Sequence, residues 1–164
     1  MDSAQIAEHI PRLRRYARAL TGDGHRADDL VQDTIERALG KFHLWRRGSD
    51  LRAWMFAIMH NVFVNQLKQR RELALDEATE AGLESAPRAD PLELRDLEAA
   101  LARLPAEQRE VLLLVGLEQL SYAEASQALG VPAGTVMSRL SRARERLREL
   151  MSGTAPATNL KLVK

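Results

Sequence analysis

The chain contains no cysteine. That excludes a disulfide framework, a thiol nucleophile and cysteine-ligated zinc, and it fits a reducing compartment. Long apolar stretches are also missing: the longest near-apolar run, Ala53–Met59, falls far short of the ~20 residues needed to cross a bilayer. The N-terminus, MDSAQIAEHIPRLRRY, does not have the basic-then-apolar order of a signal peptide, so no membrane insertion is expected. The four histidines, His9, His25, His43 and His60, show no ligand spacing among themselves. There is no Ser/His/Asp grouping, no paired-carboxylate pocket and no phosphate-binding glycine loop. A metal, a cofactor and enzymatic catalysis are therefore not expected. A strong net charge is absent too, since the total is only +1.

The distribution of charge says more than its sum. Residues 1–72 carry a net +4, residues 73–91 a net −4 and residues 92–164 a net +1. Two more basic segments thus flank an acidic strip, and such asymmetry is informative where the total is not. With 45% apolar residues, the chain can build real cores on both sides of that strip.

What is present is helical periodicity. Ile6, Ile10, Leu13, Ala17 and Leu20 mark a first amphipathic helix, which the turn Thr21–His25 stops. A second helix, near Arg26–Lys41, turns Leu30, Val31, Thr34, Ile35 and Ala38 inward. Asp28, Asp29, Gln32, Asp33 and Glu36 lie on its outer side. Acids near a helix start complement its dipole; four on one stretch exceed that need, so a basic partner surface is the other reading. Phe42–Asp50 breaks the period, and Ser49 or Asp50 caps the next helix, Leu51 to about Arg71. Between Ala53 and Val64 that helix is apolar on almost every side, so it is central to its domain. Trp45 lies beside Arg46 and Arg47, a setting that can hold an unstacked base or simply fold back on the core.

Leu73–Pro91 has two prolines, five acids and little periodicity, and reads as a linker. A second domain opens at Leu92, with a leucine face that Pro105 interrupts. Ser121–Leu150 then reads as two helices about a tight turn. Ser121 and Glu124 form a capping box, Gly130 is the stop, and Pro132 opens the second helix. Val136, Leu140, Ala143, Leu147 and Leu150 make its buried stripe. Thr135, Ser138, Ser141, Arg142 and Arg146 face away, with Arg139 on the shoulder. This is the layout of a DNA-reading helix-turn-helix, although an αα-hairpin with a solvated charged face has the same pattern. The predicted fold class is all-α: two small helical domains joined by a flexible acidic linker, the second containing the helix-turn-helix.

Four motifs in order, ADDLVQDTIERAL (27–39), LRAWMFAIMHNVFVNQLKQRR (51–71), LPAEQREVLLL (104–114) and LSYAEASQALGVPAGTVMSRLSRARERL (120–147), resemble the extracytoplasmic-function (ECF) sigma factors of the sigma-70 family. The resemblance implies a sigma region 2 at 1–72 and a sigma region 4 at 92–151; outside it lie the linker, 73–91, and the small, polar stretch 152–164, which reads as a disordered tail. It implies docking of Asp28, Asp29, Gln32, Asp33 and Glu36 on the β′ clamp helices of core RNA polymerase. Trp45, Arg46, Arg47, Ser49, Asp50, Asn61, Asn65, Lys68 and Arg71 would act at the −10 element. Thr135, Met137, Ser138, Arg139, Ser141, Arg142 and Arg146 would act at the −35 element. The leucine face around Leu97–Leu114 would meet the β flap. The partners implied are core polymerase, promoter DNA and an anti-sigma factor, in the bacterial cytoplasm or held at the inner membrane by that anti-sigma factor. Four positions depart from the usual pattern. Met137 stands where Lys or Arg is common, Asn65 where Asp is common, and the small pair Ala125–Ser126 is expected to loosen the turn. The competing reading is a free-standing helix-turn-helix regulator that binds duplex operators without polymerase.

Overall fold

Pro11 decides how the chain begins. It has no amide hydrogen, and its ring obstructs the carbonyl four residues back, so a single straight helix from Ile6 to Leu20 is strongly disfavoured. Instead α1 (Asp2–Glu8) ends, His9 donates its backbone N–H to Ile6 O at 3.0 Å, and α2 (Ile10–Thr21) starts anew. Gly22 then takes the left-handed conformation, φ 72°, that closes α2. Asp23 accepts from His25 N and opens α3 (Gly24–Gly40). A 3-10 turn, Phe42–Leu44, leads through a loop to α4 (Leu51–Glu77), which runs past the boundary expected at 72.

This computed structural model describes residues 2–77 and 92–152. Most of the acidic linker and nearly all of the tail lie outside the described residues. The second half comprises α5 (Leu92–Ala102), α6 (Ala106–Leu112), a π-helical turn (Leu113–Leu117), α7 (Tyr122–Leu129) and α8 (Ala133–Met151). All described regular structure is helical, as the apolar periods require.

In the first half, α4 packs on α3, and α3 on α2. Met55, Phe56, Met59, Val62 and Phe63 are almost completely buried. Tyr16 meets Phe56 edge-on at 4.9 Å. In the second half, α8 lies against α5, α6 and α7 through Val136, Leu140 and Ala143. The two halves are not separate in space: α7 packs on α4, and α5 and the π turn pack on α2. One continuous buried cluster runs from Ile6 to Ala143.

His9, at the α1–α2 break, has its pKa lowered, first by burial and then by Arg12. The folded state therefore prefers neutral His9. Below the ordinary value of 6.5 the unfolded chain binds more protons, so stability rises with pH through that window and falls as acid protonates His9. His9→Gln should flatten this part of the decline when urea midpoints of variant and parent are compared between about pH 5 and 8.

Candidate nucleic-acid interface

The helix-turn-helix forms by local chemistry. Ser121 Oγ accepts from Glu124 N at 3.0 Å, and Glu124 Oε1 accepts from Ser121 N at 2.9 Å. Gly130, at φ 71°, ends α7, and its N–H donates to Ser126 O. Ser126 Oγ donates to Val131 O at 2.5 Å. The expectation that Ser126 loosens the turn is therefore corrected: its hydroxyl ties α7 to the residues that enter α8. On α8, Met137, Ser138, Ser141, Arg142 and Arg146 are exposed, and Thr135 and Arg139 are half-buried. Arg139 pairs with Glu107 at 3.7 Å and Arg146 with Glu149 at 3.8 Å. Arg142 has no ion pair among the described residues, so its guanidinium is free to fork onto a base edge or phosphate.

The acidic face of α3 stands apart from the helix start. Asp23 is the cap, and Gly24 is the first helical residue, so Asp28 and Asp29 lie beyond the first turn, where the dipole effect has faded. Asp28, Asp29, Gln32, Asp33 and Glu36 are all exposed. Asp33 Oδ2 accepts from Gln66 Nε2 at 3.0 Å, which fixes the spacing of α3 and α4. Helix capping thus does not account for these acids, and they form a surface suited to a basic partner.

In the loop after α3, Ser49 Oγ bonds Arg46 O at 2.6 Å, and Gly48 takes a φ of 94° that a side chain would resist. Asp50, rather than Ser49, caps α4, accepting from Arg52 N at 3.0 Å. Arg46 and Arg47 are exposed. Trp45 folds back: its ring sits 5.3 Å from Phe42, and its Nε1 is buried without a hydrogen-bond partner. The large apolar side chain presented to solvent here is Leu44, 65% exposed, which the sequence reading did not single out. Further along α4, Asn61, Asn65, Lys68 and Arg71 are exposed. Asn61, Asn65 and Lys68, at spacings of four and three, share a face.

A second group of polar residues was not anticipated, because it assembles only when the halves meet. Glu118 is 2% exposed. Its carboxylate receives Arg15 Nη2 at 3.2 and 3.3 Å, with Arg12 Nε at 3.7 Å. Arg52 Nη1 donates to its backbone carbonyl at 3.0 Å. Burial pushes the Glu118 pKa up, while Arg15, Arg12 and Arg52 pull it down. The buried Glu110 lies 2.6 Å from Nδ1 of His60. Arg109 donates to the carbonyls of Leu101, Ala102 and Leu104 at the end of α5, and to Leu20 O at the end of α2.

Comparison with known proteins agrees with this geometry. Residues 6–60 match the family described as the Sigma2 domain of PhyR, and residues 94–147 match Sigma-70, region 4. Those two units in this order define a two-domain protein of the sigma-70 type. The chain is 42% identical over 149 residues to the ECF RNA polymerase sigma factor EcfG of Rhodopseudomonas palustris strain TIE-1, covering 89% of this chain and 82% of that protein. It is 33% identical to the ECF sigma factor SigE of Mycolicibacterium smegmatis, covering 90% of this chain and 60% of that one. The sigma factor RpoE of Bartonella quintana, solved with the anti-sigma factor NepR, superposes with a TM-score of 0.81 at 37% identity, over 92% of this chain and 96% of that one. CnrH, solved with the cytosolic domain of CnrY, gives 0.69 at 28% identity, over 92% and 87%. The chain belongs to the ECF sigma factors.

The Ser126 hydroxyl bond gives a direct test of the turn. Ser126→Ala should lower stability by about 0.5–1.5 kcal/mol in urea unfolding, because Val131 O loses its donor.

Proposed function

We propose that this chain directs core RNA polymerase to −35/−10 promoters and assists their opening, each half contributing one DNA-reading surface. The observation that carries this reading is the acidic face of α3, exposed and distinct from the cap, beside a polar face on α4. A free-standing operator-binding regulator has no use for that pairing. Asp28, Asp29, Gln32, Asp33 and Glu36 dock on the basic β′ clamp helices, where complementary charge sets orientation and association rate. The loop 42–50 and Asn61, Asn65, Lys68 and Arg71 act at the −10 element. There a flipped base, costing a few kcal/mol to unstack, is held in a protein pocket. Trp45 supports that pocket from within rather than standing ready in solvent. The α8 residues act at the −35 element, with Arg142 the most available for a base. Met137, 49% exposed, offers an apolar contact to a thymine methyl. The leucine face around Leu97–Leu114 meets the β flap. The protein is a non-catalytic subunit acting in the bacterial cytoplasm. None of the described helices is long and apolar enough to span a membrane. RpoE and CnrH were each solved with an anti-sigma factor or a partner domain. A similar inhibitory partner is proposed here, and one anchored in the inner membrane would sequester this chain there.

One observation favours a second reading. The first half matches the sigma-like domain of PhyR, and PhyR of Bartonella quintana is called an anti-anti-sigma factor. Such a mimic would bind an anti-sigma factor and read no DNA. The exposed Arg142 and Arg46–Arg47 and the 42% identity to EcfG favour the sigma reading.

Three outcomes are expected. With core polymerase the chain should start transcription from its own promoters in vitro; a mimic would give no transcripts, and a regulator would instead bind operator DNA tightly without core. Asp29→Lys combined with Asp33→Lys should abolish core binding with helicity retained, and unchanged core affinity would remove α3 from the docking surface. Arg142→Ala should weaken discrimination at one −35 base pair by about 1–3 kcal/mol, read by transcription from single-base promoter variants.

A further inference from the structure

The acidic face of α3 has a basic head. Arg26, Asp29, Asp33 and Glu36 follow one another at spacings of three, four and three, so they stand in one line along the helix, with the cation at its N-terminal end. Residues three apart on a helix are neighbours, so Arg26 could fold onto Asp29. It does not. Among the described residues Arg26 makes no ion pair, and the carboxylate that favours its charge is Asp23, whose Oδ1 already accepts from His25 N at 3.2 Å. More arginines gather around it. The Arg18 guanidinium lies against Gly24, the first residue of α3, where an added Cβ would stand 3.9 Å from Nη1. Arg70 lies on α4 one turn beyond Gln66, which donates to Asp33. Arg109 directs its donors to the carbonyls of Leu101, Ala102, Leu104 and Leu20 and to no carboxylate. Burial and then Arg70 pull the Arg26 pKa down; burial and then Arg26 do the same to Arg109. Arg18 and Arg70 are exposed and make no ion pair among the described residues. Positive charge is thus in surplus at this one end, and it is half-buried at Arg26.

A partner that covers Asp29 also meets Arg26, because three residues of helix advance only about 4.5 Å. A partner surface that is basic throughout would set a cation against a half-buried guanidinium with no ion pair of its own. Burying an unpaired charge in that way is costly. We propose that core polymerase presents a carboxylate beside the basic patch that receives Asp29 and Asp33, and that Arg26, flanked by Arg18 and Arg70, takes it. This rests on the sigma reading above. A guanidinium forks onto a carboxylate through two parallel N–H···O bonds, which adds geometry to the charge. The change of sign along the line also fixes register. A partner shifted by one turn along α3 would bring cation to cation, so one seating satisfies both signs and its neighbours do not. The basic head is separate from the surface that reads the −10 element. Arg70 is five positions from Asn65, about 140° round α4 at 3.6 residues per turn, and so points away from the face shared by Asn61, Asn65 and Lys68.

The sign of a charge change tests the proposal, with the full chain competing against labelled parent for core polymerase. Arg26→Glu combined with Arg70→Glu should weaken the apparent Kd by about tenfold or more, and the neutral pair Arg26→Gln with Arg70→Gln by a smaller factor in the same direction. Were the partner basic throughout, both pairs would make the face more acidic and tighten binding. Tighter or unchanged affinity therefore overturns the proposal. Exchanging the two charges, Arg26→Asp with Asp29→Arg, keeps the net charge yet should also weaken binding by about tenfold, since each group then meets its like. Retained affinity in that variant would overturn the register. Unchanged core affinity with slower promoter opening would assign the arginines to DNA phosphates and overturn the proposal too. The neutral pair removes like charges that oppose one another, so its circular dichroism and urea midpoint should match the parent's. Arg70→Gln alone, at an exposed side chain, should give the same sign with a smaller change. Transcription by the parent with core tests the sigma reading separately. A parent active in that assay, with arginine variants that bind core as tightly, removes this inference and leaves that reading standing.

Discussion

The structure depends on covering α4. A helix that is apolar on nearly all sides between Ala53 and Val64 cannot leave one side in water without exposing several large side chains. Within this structure α3 covers one side of it, and the second half, chiefly α7, covers another. Met55, Phe56, Met59 and Val62 reach 0–2% exposure in that setting. Closure of the two halves is thus a consequence of hydrophobic burial, and the ion pairs at its edge select which surfaces meet.

The polar contacts at the junction have a different character from the apolar ones. Burying Glu118 and Glu110 costs desolvation energy that the facing arginines and His60 offset. Arg15 and Arg12 remain partly in solvent, their side chains 55% and 41% exposed, so the pairing stabilises by much less than a fully enclosed pair would. Such a junction is specific in register.

Local elements were legible in the residues. The Ser121–Glu124 capping box and the Gly130 stop depend on neighbours within a few positions and form as expected, whereas the α8 stripe is buried at Val136, Leu140 and Ala143 but only half-buried at Leu147 and Leu150, beyond the reach of α7. Pro11 splits what the apolar spacing presents as one helix, since periodicity is blind to a missing amide hydrogen. Ser126 was misjudged because polarity alone does not show where a hydroxyl can donate. Starting α3 at Arg26 put the acids of its outer face close to the cap. The true start at Gly24, with Asp23 as cap, moves them out of reach of the helix dipole.

By itself the sequence determined the all-α class, the two-part order with an acidic strip between, and the family to which the chain belongs. Those properties are written in short-range periods, caps and contiguous motifs. Only the tertiary structure decided that Arg15 faces Glu118 across 103 positions of sequence, and His60 faces Glu110 across 50. It alone decided that Trp45 lies inward and Leu44 outward. A charged residue carries no mark of its distant partner. The partner is chosen when two separately folded faces meet and every buried charge must find its opposite.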